Sequence, residues 1–436
     1  MSVFARATAS RSSRAVWTGI ALAGASALLL TACSTGGTAT TPSETAEATA
    51  DASEALPIAE GERALDLKIG TILPQSGALA FLGPPEEAGV QLGVDEVNEA
   101  AAGVNVDVVF RDSGDTTTDT ATVSVTDLLS QDVSAIIGAA SSGVSKTVID
   151  QIVAANVIQF SPANTSADFT TYNDNGLYWR TAPSDVLQGE VLGNLIADDG
   201  NQTLGLIVLN DSYGTGLAKF TKEAFEAAGG EVVAESLFNE GDSSFDAQIS
   251  EVTAANPDAI ALITFDQAKV ITPALVGSGF PGNKLYYVDG NLADYSADFA
   301  PNLIEGAKGT LPGLDTGSLG DFTDRLLAIN ADLTDYSYAA ESYDAVVLIA
   351  LAAYAANSTD ATEIAKYLQQ VSGGSGDGEK VTTYADGVKL LAEGKQIDYD
   401  GASGPITFDS NGDPTEATIG IFEFNADNTY SRLPDQ

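Results

Sequence analysis

The strongest constraint on this chain is a regular alternation of short apolar strands with amphipathic helices, which begins at Leu65 and starts again at Leu204. The predicted strands are residues 67–73, 104–110, 135–137, 157–160, 204–209, 232–237, 259–263 and 285–288. Strands that alternate with helices form parallel sheets that helices cover on both faces. The pattern therefore predicts an α/β fold with two similarly built lobes.

The composition removes several classes of function. The 436 residues include 61 acidic and 19 basic residues, no histidine and one cysteine. The formal charge of −42 repels phosphate groups and argues against nucleic-acid binding. Without histidine the chain has no Ser–His–Asp triad and no His-ligated metal, and one cysteine cannot form an internal disulfide. No Ser-x-x-Lys pair follows a strand, so we expect a protein that binds rather than catalyses and that needs no cofactor.

The N-terminus has the features of a bacterial lipoprotein signal. Arg6, Arg11 and Arg14 precede an apolar run over residues 15–30, which is shorter than the roughly 20 residues that a membrane-spanning helix needs. The run ends in Leu-Thr-Ala-Cys, where Cys33 is the sole cysteine, and this ending resembles a lipobox. We expect cleavage after residue 32 and a lipid on Cys33 that anchors the protein to the outer face of the cell membrane. An ordinary secretory signal with a chance cysteine is the alternative.

The segment that follows is polar. Residues 34–64 are mostly Ser, Thr, Ala, Glu and Pro, a composition that buries too little apolar surface to offset its chain entropy. We therefore expect a flexible tether over residues 33–64. The longest later apolar run, residues 345–356, is too short to cross a bilayer and is expected to be a core helix.

Small polar residues follow several of the predicted strands. In parallel sheets, ligands bind at the carboxyl ends of strands, where helix N-termini offer free N–H groups. Ser142 would offer a hydroxyl and amides to a carboxylate, and Thr165 would add a second hydroxyl. The Ala163 carbonyl would accept from an ammonium, and Asp289 would supply its counter-charge. Together these groups would recognise a small zwitterion. Alternatives stay open: helix caps at Ser142 and Thr165, a turn residue at Asp289, and ordinary packing for Tyr213.

Several motifs resemble the solute-binding proteins of branched-chain amino-acid ABC importers. They are IGTILPQSGALAFLG (69–83), EAGV (87–90), DEVN (95–98), IIGAASSG (136–143), SPANT (161–165), YGTGLA (213–218), YDA (343–345) and SGPITFDSNGD (403–413). The resemblance covers nearly the whole chain after Leu65. It implies a type I periplasmic-binding-protein fold, with two doubly wound α/β lobes joined by a three-segment hinge and a ligand cleft between them.

The resemblance also implies six ligand-contacting positions. They are Ser142, Ala163, Thr165, Tyr213, Phe265 and Asp289. Asp289 is one methylene shorter than the family's acid against the ammonium, and Phe265 stands where a tyrosine is expected. Leu82 or Phe81 stands where an aromatic residue lines the side-chain pocket.

The resemblance implies an extracytoplasmic, monomeric lipoprotein that captures an amino acid and delivers it to an ABC transporter permease. A binder of amides, urea or aromatic acids and a ligand-sensing receptor component are the alternatives. The expected first lobe comprises residues 65–183 and 311–404, and the expected second lobe comprises residues 184–310 and 405–436.

Overall fold

The first lobe is built on a parallel sheet. The computed structural model describes residues 54–314, 319–376 and 378–434, so the predicted signal segment and Cys33 lie outside the described residues. The strands pair in the order β2-β1-β3-β4-β5. Their bounds are β1 (Leu65–Leu73), β2 (Val104–Asp112), β3 (Ala135–Gly138), β4 (Ile158–Ser161) and β5 (Tyr178–Arg180). The connecting helices are α1 (Gly83–Ala100), α2 (Thr120–Ser130) and α3 (Ser142–Ala154).

The second lobe repeats the alternation. Its strands are β6 (Thr203–Leu209), β7 (Glu231–Phe238), β8 (Ala259–Ile263), β9 (Leu285–Tyr287) and β10 (Lys308–Pro312). Its helices are α4 (Asp185–Asp198), α5 (Ser212–Ala227), α6 (Asp246–Ala254) and α7 (Ala268–Gly277). These strands pair in parallel. The two α/β lobes predicted from the alternation are confirmed.

The chain then returns to the first lobe and crosses over again. The returning elements are α8 (Gly320–Ile329), α9 (Ala339–Ala356), α10 (Ala361–Val371), β11 (Glu379–Val381), α11 (Tyr384–Ala392), β12 (Ile397–Gly401) and β13 (Gly404–Pro405). Strands β14 (Ile419–Phe424) and β15 (Tyr430–Arg432) complete the second sheet, in the order β15-β14-β10-β9-β8-β6-β7.

The alternating patterns of residues 406–408 and 417–424, on either side of the Asn411-Gly412 turn, predict a hairpin of two antiparallel strands. This prediction is wrong. Strand β14 pairs antiparallel with β10 and β15, and Phe408 makes only an isolated bridge with Pro414. Phe408 instead packs edge-on against Phe160 and Trp179 of the first lobe. The alternating pattern defined which face each side chain occupies, but not which strand lies alongside. The predicted lobe boundaries stay a prediction.

The last part of the expected tether is docked on the first lobe. The N–H of Leu56 donates to Gln370 Oε1 at 2.7 Å, and the N–H of Ala59 donates to the Ala355 carbonyl at 2.9 Å. Residues 54–64 therefore follow the ends of α9 and α10, because their backbone groups find partners there despite a polar sequence.

Helix α9 forms the centre of the first core. Among the described residues it is the one helix long and apolar enough to cross a membrane, but 94% of that window is buried inside the protein. Two glycines let α1 approach it. A Cβ on Gly89 would stand 2.1 Å from the Ala339 carbonyl oxygen, and one on Gly93 would stand 2.9 Å from Val346 Cβ. Any side chain there would push the helices apart.

The second lobe uses the same device between α4 and α5. A Cβ on Gly189 would stand 2.5 Å from Phe220 Cβ, and one on Gly193 would stand 2.5 Å from the Thr221 carbonyl oxygen. Each lobe is thus held together by a closely packed helix pair that carries glycines four residues apart.

A buried ion pair fixes the end of β5. Arg180 is fully buried, and its guanidinium makes a bidentate contact with Asp413, with Nε–Oδ1 at 2.6 Å and Nη2–Oδ2 at 2.9 Å. Nη1 donates to the carbonyls of Asn164 and Ser166 at 3.2 and 2.8 Å, and Nη2 also donates to Thr170 Oγ1 at 3.1 Å. One side chain therefore shapes the loop after β4 and ties it to the turn at Asp413.

Replacing Asp413 with alanine should remove about 3–5 kcal/mol from the free energy of unfolding, because it leaves the buried Arg180 charge without its partner. Lys366→Ala is the control: Lys366 pairs with Glu363 at 2.7 Å, but both side chains are about half exposed. It should cost about 1 kcal/mol or less. Urea unfolding followed by circular dichroism measures both, and equal losses would contradict the buried-clamp interpretation.

Candidate functional site

The loops at the carboxyl ends of the two sheets meet around one interlobe pocket, which in this arrangement of the lobes encloses a cavity of only about 10 Å³. Five of the six predicted site residues line it: Ser142, Ala163, Tyr213, Phe265 and Asp289. The other lining residues are Leu79, Leu82, Ala140, Ser141, Gly290 and Tyr338. A larger and more open hollow of about 460 Å³ also borders Tyr338, but none of the predicted residues lines it.

The lobes contact each other around this pocket. Ser166 Oγ of the first lobe donates to the Ser212 carbonyl of the second at 3.0 Å. In addition, the N–H of Thr116 in the first lobe donates to Glu240 Oε2 of the second at 3.1 Å. The cleft is therefore in a closed arrangement.

Thr165 is the predicted residue that does not line the pocket. It is buried, and its carbonyl accepts from the N–H of Asp185 at 2.7 Å. Its hydroxyl faces the Asp185 carboxyl, although neither group makes a hydrogen bond of acceptable geometry. Thr165 thus connects the loop after β4 to the first turn of α4.

The N-terminus of α3 forms the polar end of the pocket in the first lobe. The helix cap is Ser141, whose Oγ accepts from the N–H of Val144 at 3.3 Å. Ser142 is the first helical residue, and its Oγ accepts from the N–H of Ser166 at 3.3 Å. The capping role considered for Ser142 therefore belongs to its neighbour. First-turn amides lack intrahelical partners and attract anions, so this end suits a carboxylate.

Asn164 holds this end in place. Its Nδ2 donates to the carbonyls of Ala139 and Ala140 at 2.9 and 2.8 Å, and its Oδ1 accepts from the Tyr178 hydroxyl at 3.0 Å. Asn164 is fully buried. The loop before α3 and the loop after β4 are therefore joined into one unit.

Asp289 is the anionic group of the pocket. Its Oδ1 accepts from the Tyr213 hydroxyl at 2.6 Å and from Gln188 Nε2 at 3.0 Å, and its Oδ2 accepts from the Tyr338 hydroxyl at 2.9 Å. Burial raises the pKa of the Asp289 carboxyl, and these hydrogen bonds oppose that rise. In the turn that Asp289 begins, it is Asn291 Oδ1 that accepts from the N–H of Val288, at 2.8 Å.

The remaining wall is apolar. The rings of Tyr213 and Phe265 stack with centroids 5.4 Å apart, and Leu79 and Leu82 line the pocket from the first lobe. Of the two residues considered for the side-chain position, Leu82 lines the pocket, whereas Phe81 packs half-buried against the second core. The pocket therefore combines two polar ends with an aliphatic and aromatic wall.

Sequence reasoning missed Gln188, Tyr338 and Asp185. Gln188 and Asp185 lie on α4, a helix that was not predicted. Tyr338 occupies the cap position before α9 with φ +59°, a conformation that L side chains rarely adopt. The Tyr-Asp-Ala motif five residues later was the nearby signal, but nothing in it indicated that Tyr338 reaches Asp289.

Comparison with known proteins identifies the fold family. The family model described as "Periplasmic binding protein" matches residues 66–429. The chain belongs to this family. Members are extracytoplasmic substrate-binding proteins and not enzymes, so the prediction of a binding protein is confirmed.

Individual relatives are distant but cover most of this binding protein. It is 26% identical over 351 residues to the chemotactic signal transduction system substrate-binding protein BasB of Halobacterium salinarum, covering 78% of this chain and 82% of BasB. It is 26% identical over 364 residues to the Leu/Ile/Val-binding protein BraC3 of Rhizobium johnstonii, covering 83% of this chain and 92% of BraC3.

Solved structures share its two-lobed architecture. The branched-chain amino acid transporter substrate binding protein LivJ of Streptococcus pneumoniae, solved in complex with isoleucine, superposes with a TM-score of 0.68 at 24% identity. The alignment covers 84% of this chain and 99% of LivJ. Together with the family model and the Leu/Ile/Val-binding relatives, this shared fold confirms the predicted branched-chain amino-acid-type periplasmic-binding-protein fold.

Replacing Tyr338 with phenylalanine should lower the free energy of unfolding by about 1–3 kcal/mol, because it removes one donor from the buried Asp289 carboxylate. Tyr367→Phe is the matched control, since its hydroxyl donates at the surface to the Pro57 carbonyl at 2.9 Å. That change should stay within about 0.5 kcal/mol. Urea unfolding of the ligand-free proteins measures both variants. An unchanged free energy of unfolding in Tyr338→Phe would show that the hydrogen bond from Tyr338 to Asp289 does not stabilise the fold.

Proposed function

We propose that this protein captures an amino acid with an aliphatic side chain in the interlobe pocket and delivers it to an ABC importer. Asp289 would accept from the ammonium, together with the Ala163 carbonyl. The first turn of α3, at Ser142, would bind the carboxylate. Leu79 and Leu82 would contact the side chain.

The observation that carries this proposal is the chemistry of the pocket ends. A buried carboxylate, Asp289, belongs to the second lobe, and a helix N-terminus that favours anions belongs to the first. A zwitterion matches both ends at once, whereas an anion or a neutral amide matches one. A ligand that bridges both lobes stabilises the closed form by its differential affinity for that form.

The remaining assignments extend the same proposal. Thr165 would position the polar groups from behind, and Tyr213 and Phe265 would cover the ligand from the second lobe. The lobes would comprise residues 65–183 with 311–404 and residues 184–310 with 405–436. The protein would act as a monomer, held at the outer face of the membrane by a lipid on Cys33.

A ligand panel tests the ligand class. We expect leucine, isoleucine or valine to raise the free energy of unfolding by about 2.7 kcal/mol when present at 100 times its Kd. Benzoate and urea represent the aromatic-acid and amide alternatives. Thermal unfolding followed by titration calorimetry ranks the compounds, and a preference for benzoate or urea would refute the amino-acid assignment.

A second candidate is a receptor component that senses its ligand. The similarity to BasB, named as part of a chemotactic signal transduction system, favours it. Uptake of labelled ligand by cells with and without the gene separates the two candidates, because a sensing component leaves uptake unchanged.

Replacing Asp289 with asparagine should weaken leucine binding about ten- to hundredfold. A charge-assisted hydrogen bond in a closed cleft is worth about 1.5–3 kcal/mol, and each decade of affinity corresponds to about 1.4 kcal/mol. Asp107→Asn, at an exposed position of β2, is the matched control. Calorimetry with leucine measures both, and equal affinities for Asp289→Asn and the unmodified protein would leave Asp289 without a role as counter-ion.

Replacing Cys33 with serine should release the protein from the membrane, because the hydroxyl cannot carry the thioether-linked lipid. Fractionation of cells and immunoblotting measure the distribution. A variant that stays with the membrane fraction would contradict the lipoprotein proposal.

A further inference from the structure

Asp185 is a second acid at the interlobe cleft that the ligand proposal leaves unused. It is the first residue of α4, directly after the chain crosses from β5 into the second lobe. Its side chain is fully buried. It lies between Thr165 of the first lobe and the Asp289 carboxylate of the second, both of which interact with it.

Within the described part of the chain, the Asp185 carboxyl makes no hydrogen bond of acceptable geometry, although the Thr165 hydroxyl faces it. Neither Oδ1 nor Oδ2 has a partner, and the neighbouring Thr165 Oγ1 and Gln188 Oε1 are equally without one. An ionised carboxylate buried without donors is among the most costly groups in a protein, and such a group usually becomes neutral instead.

The charged and titratable groups that face Asp185 supply no cation that is hydrogen-bonded to its carboxylate. They are Asp289, Asp211, Tyr213 and Arg180. The Asp289 and Asp211 carboxylates repel a negative charge on Asp185. Arg180 is the one cation of this set, and its charge partly opposes the rise in the pKa of Asp185. A guanidinium has five N–H donors. All five are engaged by Asp413, Asn164, Ser166 and Thr170.

We propose that the closed cleft binds a proton together with its ligand, and that this proton resides on Asp185. This inference rests on the proposed capture of a ligand between the lobes, and it adds that one proton binds together with the ligand. The neutral carboxylic acid places no second negative charge beside Asp289, so Asp289 alone balances a ligand's ammonium.

The environment of Asp185 depends on closure. Thr165 belongs to the first lobe, whereas Asp211 and Asp289 belong to the second, so separating the lobes admits water between them. In the closed form, burial and then the Asp289 charge raise the pKa of Asp185 well above its ordinary range. In the open, hydrated form the pKa of Asp185 is expected to return to the ordinary range of an exposed aspartate.

The sign of the pH dependence follows from this difference. A proton binds more tightly to the closed form, so it favours closure and ligand binding. Below a pH of about 4 both forms are protonated and binding takes up no proton. Between that pH and the raised pKa of the closed form, binding takes up one proton. Affinity then falls by up to tenfold for each unit of rising pH.

Titration calorimetry at pH 6 with L-leucine, in buffers of different ionisation enthalpy, counts the protons taken up. We expect uptake of about one proton per ligand by the unmodified protein, and affinity that weakens steadily from pH 5 to pH 7. In Asp185→Asn we expect the uptake to fall by about one proton, with affinity at pH 7 equal to or tighter than that of the unmodified protein. The asparagine mimics the neutral acid and removes the requirement for a proton.

Asp211→Asn is the control for a neighbouring proton site. Burial raises the pKa of Asp211 to about 6, and asparagine retains its capping of α5. We expect this variant to keep the proton uptake that belongs to Asp185. Uptake that disappears in Asp211→Asn and persists in Asp185→Asn would overturn the proposal.

Further outcomes separate this proposal from the proposed function. Leucine binding to the unmodified protein without proton uptake would overturn the proton proposal alone. Weaker binding to Asp185→Asn at pH 7 would also overturn it, because the charge would then serve the ligand directly. If benzoate or urea binds in place of amino acids, the amino-acid assignment fails, and the same proton count with that compound still decides the role of Asp185.

Discussion

The guanidinium of Arg180 is the interaction on which the ligand cleft depends. All five of its N–H groups donate within the protein, to one carboxylate, two loop carbonyls and one hydroxyl. The loop after β4 therefore takes its shape from a charge that the ligand never meets. Since the partner Asp413 lies more than 200 positions along the chain, this single contact also connects the last crossing to the first sheet.

The position of the pocket follows from the topology of the sheets. Parallel strands end at the same edge, so each lobe gathers its loops and helix N-termini on the side that faces the other lobe. The first lobe contributes the N-terminus of α3 and the second contributes the Asp289 carboxylate. Burial of these polar groups without water is costly unless they are paired, which makes the closed arrangement sensitive to what fills it.

Sequence reasoning predicted the elements well and their partnerships less well. Strands such as β8 were predictable because every residue is apolar and buried. Five pocket residues were predictable because they follow such strands or match family motifs. The pairing of β14 with β10 and β15 was not predictable, because an alternating pattern shows which side chains face the core but not which strand lies alongside. Tyr338 and Gln188 were also missed, since they contact Asp289 from positions 49 and 101 residues away.

The glycines at the α1–α9 and α4–α5 contacts have a consequence for how such a protein can vary. The backbones of each helix pair are in close contact, so a larger residue at any of these glycines would clash. By contrast, Leu79, Leu82 and Phe265 line the interlobe pocket. Substitutions that alter ligand preference are therefore expected to accumulate on the pocket wall while the glycines stay fixed. The packing of each lobe is then expected to stay the same, while variation in ligand chemistry is confined to the layer of side chains between the lobes.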